Sequence, residues 1–197
     1  ISLGLPDSLL GSAWPVMHEA FQVPLSYAGL VTMIISGGTI CSSLLSERLT
    51  KRLGTQIVTV CSVLLTAVAL FGFSTASAFW MLCIWAIPYG LGAGAIDAAL
   101  NNYVALHYNS RHMSWLHCFW GLGTIISPYV MSYALTTSVW QNGYRMVSFI
   151  QFGIMIILFL TLPVWKVNQK TSVQQEEASE EMVGIKGALK IKGVPNL

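Results

Sequence analysis

The sequence predicts an all-α membrane protein, a bundle of six transmembrane helices, and three observations carry that reading. First, 54% of the 197 residues are hydrophobic and only 9% are charged, against about 25% charged in an ordinary soluble domain. Second, half of the charges lie after residue 165, so the preceding stretch has too few to coat a soluble particle. Third, Lys and Arg fall almost wholly on alternate connections between apolar runs. The same arithmetic excludes a disulfide scaffold, a disordered chain and a nucleic-acid binder.

The helices follow from the uncharged runs 20–46, 53–96, 112–144 and 146–165. A spanning helix needs about 20 apolar residues, and the run 53–96 is broken at the small, polar stretch Ser74–Ala78. The expected spans are 1–18, 25–46, 56–74, 79–106, 115–137 and 145–165. The first begins at Ile1 without an initiating Met and reads as truncated, so the chain is expected to be a fragment. No alternating segments of about 10 residues appear, which argues against a barrel. Residues 1–165 form the expected bundle, and 166–197 form a linker.

Orientation follows from the basic residues. Connections 47–55 and 107–114 and the tail 166–197 carry all of them except Arg145, so these three regions are expected in the cytoplasm of a multi-pass cell-membrane protein. Trp14, Trp80 and Trp140 then fall near the outer boundary and Trp165 near the inner one. In the tail, 169–182 is polar and acidic. Residues 183–194 place Ile185, Ala188 and Leu189 on one helical face and Lys186 and Lys190 on another. This segment reads either as a helix lying on an anionic leaflet or as the lead-in to another span. Cys41, Cys61, Cys83 and Cys118 stand alone in apolar runs and are expected to be buried packing residues. No metal-ligand spacing occurs, and no cofactor or catalytic residue is expected.

Two acids lie where acids are expensive. Six of the eight Asp and Glu residues sit in connections or the tail, whereas Asp7 and Asp97 lie inside spans. An Asp near a helix centre costs about 2.5–3.5 kcal/mol on insertion scales, and a functional role is its default reading. Asp7 lies 12 residues before Glu19, roughly 18 Å along a helix at 1.5 Å per residue. No Lys or Arg shares a span interior with either acid. A carboxyl group in low dielectric without a cation is easily held neutral, which suits it to loading and releasing a proton. The alternative is a permanently neutral or helix-capping Asp beside Pro6 or Pro88.

An internal echo pairs the two. Gly4-Leu5-Pro6-Asp7-Ser8-Leu9-Leu10 and Gly94-Ala95-Ile96-Asp97-Ala98-Ala99-Leu100 share G-x-x-D-x-x-L, and Gly38-Thr39-Ile40 matches Gly123-Thr124-Ile125. The matches fall in corresponding helices of two triplets. That points to 3+3 inverted repeats, an arrangement that places binding groups near the midplane of secondary transporters.

Gly90, Gly94 and Ala98 recur every four residues as a close-packing stripe, not as a nucleotide loop, for no strand precedes them. Asn101 lies one turn after Asp97 on the same face and, with Asn102, offers amides to hydroxyl groups or to neighbouring helices. His117 suits proton relay or solute binding, or simple hydrogen bonding. Trp120 and Trp85 suit stacking on a sugar ring, packing or a lipid-facing position.

Between helices two and three, Ser43-Leu44-Leu45-Ser46-Glu47-Arg48-Leu49-Thr50-Lys51-Arg52 resembles the major facilitator loop motif G-x-x-x-D-R-x-G-R-R. The charged positions are Glu47, Arg48, Lys51 and Arg52; Ser43 and Thr50 replace the glycines. The resemblance implies half of a twelve-helix fold, its second half missing from this chain, with Glu47 bridging neighbouring helices and the motif gating the inner side. Within that superfamily the chain is most similar to the fucose–proton symporter branch, which has an Asp in helix one and, in helix four, an acid followed four residues later by Asn. Asp97 and Asn101 occupy those places, while His117 replaces a Gln and Trp120 also departs.

The expected function is proton-coupled transport of a small polar solute, a sugar above all, by alternating access in the lipid bilayer. Asp7 and Asp97 carry the proton, and Asp7, Asn101, His117 and Trp120 contact the solute. A drug or metabolite antiporter and a sodium-coupled sugar carrier are the alternatives within transport. An intramembrane aspartyl protease is the remote one, because its Tyr-Asp and Gly-x-Gly-Asp signatures are absent.

Overall fold

The computed structural model describes residues 2–182, with side chains described to residue 162. Among the described residues seven helices follow one another: α1 (Gly4–Asp7), α2 (Leu9–Ala20), α3 (Tyr27–Leu53), α4 (Thr55–Thr75), α5 (Phe79–His107), α6 (Ser110–Thr137) and α7 (Trp140–Met182). No strand occurs among the described residues. Helices α3, α4, α5, α6 and the Trp140–Leu162 part of α7 are long and apolar enough to cross a bilayer. The chain falls into two compact units, Ile1–Phe159 and Leu160–Leu197. The first holds the bundle. Of the second, only the continuation of α7 to Met182 is described, through the polar stretch after residue 169. The basic amphipathic segment 183–194 and the side chain of Trp165 lie outside the described residues.

The expected first span is two helices, broken at Ser8, so Asp7 is the last residue of α1. Pro6 has no N–H to give to the carbonyl four residues earlier. That carbonyl, on Ser2, instead accepts from Gln151 Nε2 of α7 at 2.5 Å, while Ser2 Oγ donates to Gln151 Oε1 at 2.6 Å. Gln151 is fully buried, so this reciprocal pair fixes the start of α1 against α7.

The 47–55 connection is almost entirely helix. Residues 47–53 complete α3, and Gly54 alone separates it from α4. Gly54 has φ 84°, a left-handed value that a residue with a side chain rarely adopts. Likewise α6 starts at Ser110, leaving only Tyr108 and Asn109 between α5 and α6. The charges placed in loops therefore cap helix ends, because Lys51 and Arg52 suit a helix C-terminus.

Helix α5 is the spine, packed against both α3 and α4, while α1 packs on α6. The small residues explain the close approach. A Cβ on Gly90 would collide with the Ile35 carbonyl of α3, and one on Gly94 with the Thr39 carbonyl and Ser42 Oγ. Hydroxyl groups of α3 then reach the carbonyls of α5: Thr39 Oγ1 donates to Gly90 O at 3.3 Å, Ser43 Oγ to Gly94 O at 3.2 Å and Ser46 Oγ to Ala95 O at 3.3 Å. The echo in the sequence has its counterpart here. Gly94, three residues before Asp97, abuts Thr39; Gly4, three residues before Asp7, abuts the backbone of Trp120 and Thr124.

The apolar core gathers at one end of the bundle. Met17, Val31, Leu70, Phe73, Leu82, Met131, Tyr144 and Val147 belong to one buried cluster, and all lie near the α2–α3, α4–α5 and α6–α7 turns. Trp14 and Trp140 are buried in it, Trp14 donating Nε1–H to Leu25 O at 2.7 Å. Only Trp80 of the three expected boundary tryptophans is exposed, at 62%. The cysteines also depart from expectation: Cys41, Cys61 and Cys118 are exposed and Cys83 is half-buried, all four free thiols. In a bundle that meets lipid, the outer face is as apolar as the core, so an apolar run does not tell a thiol which way to point.

Candidate functional site

Asp7 and Asp97 line one cavity of about 430 Å³, a size within the usual range for small-ligand sites. Each comes to it for a local reason. Asp7 sits at the break between α1 and α2, and Asp97 lies one position beyond the buried Ile96 on the cavity face of α5. Both side chains are solvent-accessible within the bundle. Lys and Arg are absent from the cavity lining, in which His117 of α6 is the group able to carry positive charge.

The two carboxylates are held differently. Asp7 accepts two side-chain hydrogen bonds, from Tyr89 Oη to Oδ1 at 3.1 Å and from Trp120 Nε1 to Oδ2 at 2.9 Å. Asp97 accepts one, from Asn101 Nδ2 to Oδ1 at 3.2 Å. Asn101 Oδ1 is buried without a partner among the described residues. An amide beside a titrating carboxyl group serves both of its forms, since the amide nitrogen donates to the carboxylate and, after a flip, the amide oxygen accepts from the acid.

Of the residues expected at the site, Asp7, Asp97, His117 and Trp120 line the cavity. Asn101 reaches it only through Asp97, and Asn102 is exposed away from it. Trp85 lies elsewhere: its indole fills the space over Gly72 of α4. Tyr89 and Thr39 also line the cavity; in the sequence Thr39 stands out only within the Gly38-Thr39-Ile40 echo, and Tyr89 not at all. For Tyr89 a signal existed, because Tyr89, Ala93, Ile96, Asp97 and Leu100 repeat at i, i+4, i+7, i+8 and i+11, a single helical stripe.

The charged motif forms the C-terminal end of α3, and Glu47, Arg48, Lys51 and Arg52 are not among the residues that line the cavity. Glu47 pairs with Lys51 of its own helix at 2.8 Å, both largely exposed. The expected bridging of neighbouring helices by Glu47 is not what its carboxylate does here. Ser46 makes the cross-helix contact instead, to Ala95 O.

Among the described residues no cluster of His, Cys, Asp and Glu is arranged to hold a metal ion. The profile of the Major Facilitator Superfamily matches residues 1–195. The chain belongs to this superfamily. Its members are transporters, not enzymes, and the apolar helices are those of a multi-pass membrane protein. A curated relative is "Bypass of stop codon protein 6" of Saccharomyces cerevisiae, 23% identical over 191 residues that cover 92% of this chain. The chain spans 38% of that relative's length.

Proposed function

We propose that the whole protein is a proton-coupled carrier of a small polar solute, a sugar in the first instance, working by alternating access. The observation that supports this most is the pair of cation-free carboxylates sharing one cavity. Asp97, with a single donor on it, is the principal proton site; Asn101 accommodates both protonation states. Asp7, whose two donors fix its orientation, presents an acceptor to solute hydroxyls, and the Trp120 ring beside it offers a face for a sugar ring. His117, Tyr89 and Thr39 supply further polar contacts.

Alternating access fits the distribution of packing. One end of the bundle is filled by the apolar cluster, and the cavity extends from mid-bundle toward the α5–α6 turn, along Asp97, Leu100, Leu116 and His117. With the basic connections in the cytoplasm, that is an inward-facing arrangement. Protonation removes the cost of a bare charge in hydrocarbon, which lets the loaded carrier pass through its occluded state. The Glu47–Arg52 segment at the same end then rides on α3 as the gate.

The test is flux into proteoliposomes of the full-length protein, with a panel of neutral hexoses under separately imposed proton and sodium gradients. Accumulation of a hexose under the proton gradient alone is the expected result. Accumulation under sodium alone, or none with any hexose, overturns the assignment of ion or solute respectively.

A further inference from the structure

Asp7 and Tyr89 also border a second, smaller cavity, of about 160 Å³, on the side away from His117. Its other walls include Gly11 of α2, Thr32 of α3, Phe73 of α4 and Tyr144 of α7. These residues lie toward the opposite helix ends from Leu100 and Leu116, within five residues of the helix terminus for Thr32, Phe73 and Tyr144. The hydrogen bond from Tyr89 to Asp7 therefore stands between two chambers that reach toward opposite ends of the bundle.

The smaller chamber contains an unsatisfied group. Tyr144 is 1% exposed, and its hydroxyl has no partner among the described residues. Phe73 is wedged between the two tyrosines, its ring centroid 5.5 Å from that of Tyr144 and 6.0 Å from that of Tyr89. A buried hydroxyl without a protein partner is ordinarily met by water. The space suits water better than a solute: it is several times the roughly 30 Å³ that a water occupies in the liquid, yet below the size of small-ligand pockets.

We propose that the smaller cavity is a water site, in which ordered waters bridge the Tyr144 hydroxyl to the Asp7 carboxylate. Resting on the proton-coupled reading above, this gives Asp7 a proton path to the helix ends that the solute cavity does not reach. The titratable groups facing Asp7 are Tyr89 and Asp97 from α5, His117 from α6 and Tyr144 from α7; the α3 wall contributes only uncharged Thr32, Ile35 and Thr39. Each water or hydroxyl in the chain accepts one proton and passes one on. Asp7 gains the proton from this side and surrenders it to the larger cavity, with no net change in Tyr144.

Gly11 lines the smaller chamber, and a Cβ built there meets nothing within 4 Å, so a larger side chain can be introduced at its rim without collision. The experiment is hydroxyl-radical footprinting of the full-length protein in detergent, with bulk water as the probe, comparing wild type, Gly11→Leu and Tyr144→Phe. In wild type, Phe73 and Tyr144 are modified at rates well above Trp14, an aromatic residue as deeply buried that borders neither cavity. Gly11→Leu reduces modification of both several-fold and leaves Trp120 unchanged, and Tyr144→Phe reduces it at Phe73. Phe73 and Tyr144 as inert as Trp14, or labelling insensitive to Gly11→Leu, overturns the water site. In proteoliposomes, Gly11→Leu and Tyr144→Phe keep hexose exchange but lose most proton-driven accumulation; unchanged accumulation overturns the path. If wild type itself shows no proton-driven accumulation, the transport reading is what fails, and the footprint still decides the water.

Discussion

At the residue scale, the difference between the two aspartates is the number of donors each accepts. Removing one donor from Asp7 loses a hydrogen bond to a charged group, worth about 1.5–3 kcal/mol. Tyr89→Phe and Trp120→Phe are each expected to weaken solute binding roughly tenfold or more, read as a smaller ligand-induced rise in melting temperature at fixed hexose concentration. Equal shifts in variant and wild type would remove both residues from the site. Both aspartates were legible in the sequence because a lone acid in an apolar run is costly enough to be noticed. Asn101 was legible from its i+4 spacing. Tyr89 was not singled out, since a tyrosine in a membrane helix carries no penalty that marks it, and only its stripe with Asp97 gives it away. Trp85 illustrates the converse: an indole in an apolar helix says nothing about which neighbour it covers, and Gly72 decided that.

At the element scale, the account rests on glycines and hydroxyls that bring α3 and α5 into contact. A Gly94→Val side chain would run into the Thr39 carbonyl and Ser42 Oγ. Overpacking of this kind costs about 1–3 kcal/mol, so a lower melting temperature is expected, whereas Gly11→Ala, facing open space, should leave it unchanged. A Gly94→Val protein as stable as wild type would show that the seam is looser than described. Glu47→Gln removes an exposed pair within one turn of α3; it should leave the melting temperature as it is and change the transport rate if the segment gates. Which stretches span was readable from hydropathy, but where the helices end was not: α3 runs to Leu53 and α6 and α7 start at Ser110 and Trp140. Charge runs such as Glu47–Arg52 look like loops in a hydropathy reading, yet polar residues continue a helix readily once it leaves the apolar layer. The break at Ser8 was hidden as well, because hydropathy does not register a one-residue departure from helical hydrogen bonding.

At the scale of the whole molecule, the sequence's two triplets, linked by G-x-x-D-x-x-L, become two glycines abutting Trp120–Thr124 and Thr39. That correspondence puts the two acids on a common cavity, which no composition argument reaches alone. The polarity of the bundle, filled at one end and hollow toward the other, makes a topological prediction. In a cysteine-free background, a Cys at Leu100 or Leu116 should react with an impermeant maleimide from the side bearing 47–55, and a Cys at Met131 or Leu82, buried and bordering neither cavity, should not. Reaction of the second pair in place of the first would invert the assignment. The central claim is that Asp97 carries the proton that drives uptake, and its most direct measurement compares exchange with accumulation in proteoliposomes of the full-length Asp97→Asn protein. The account predicts solute exchange at near wild-type rate with no accumulation under a pH gradient; accumulation equal to wild type would contradict it.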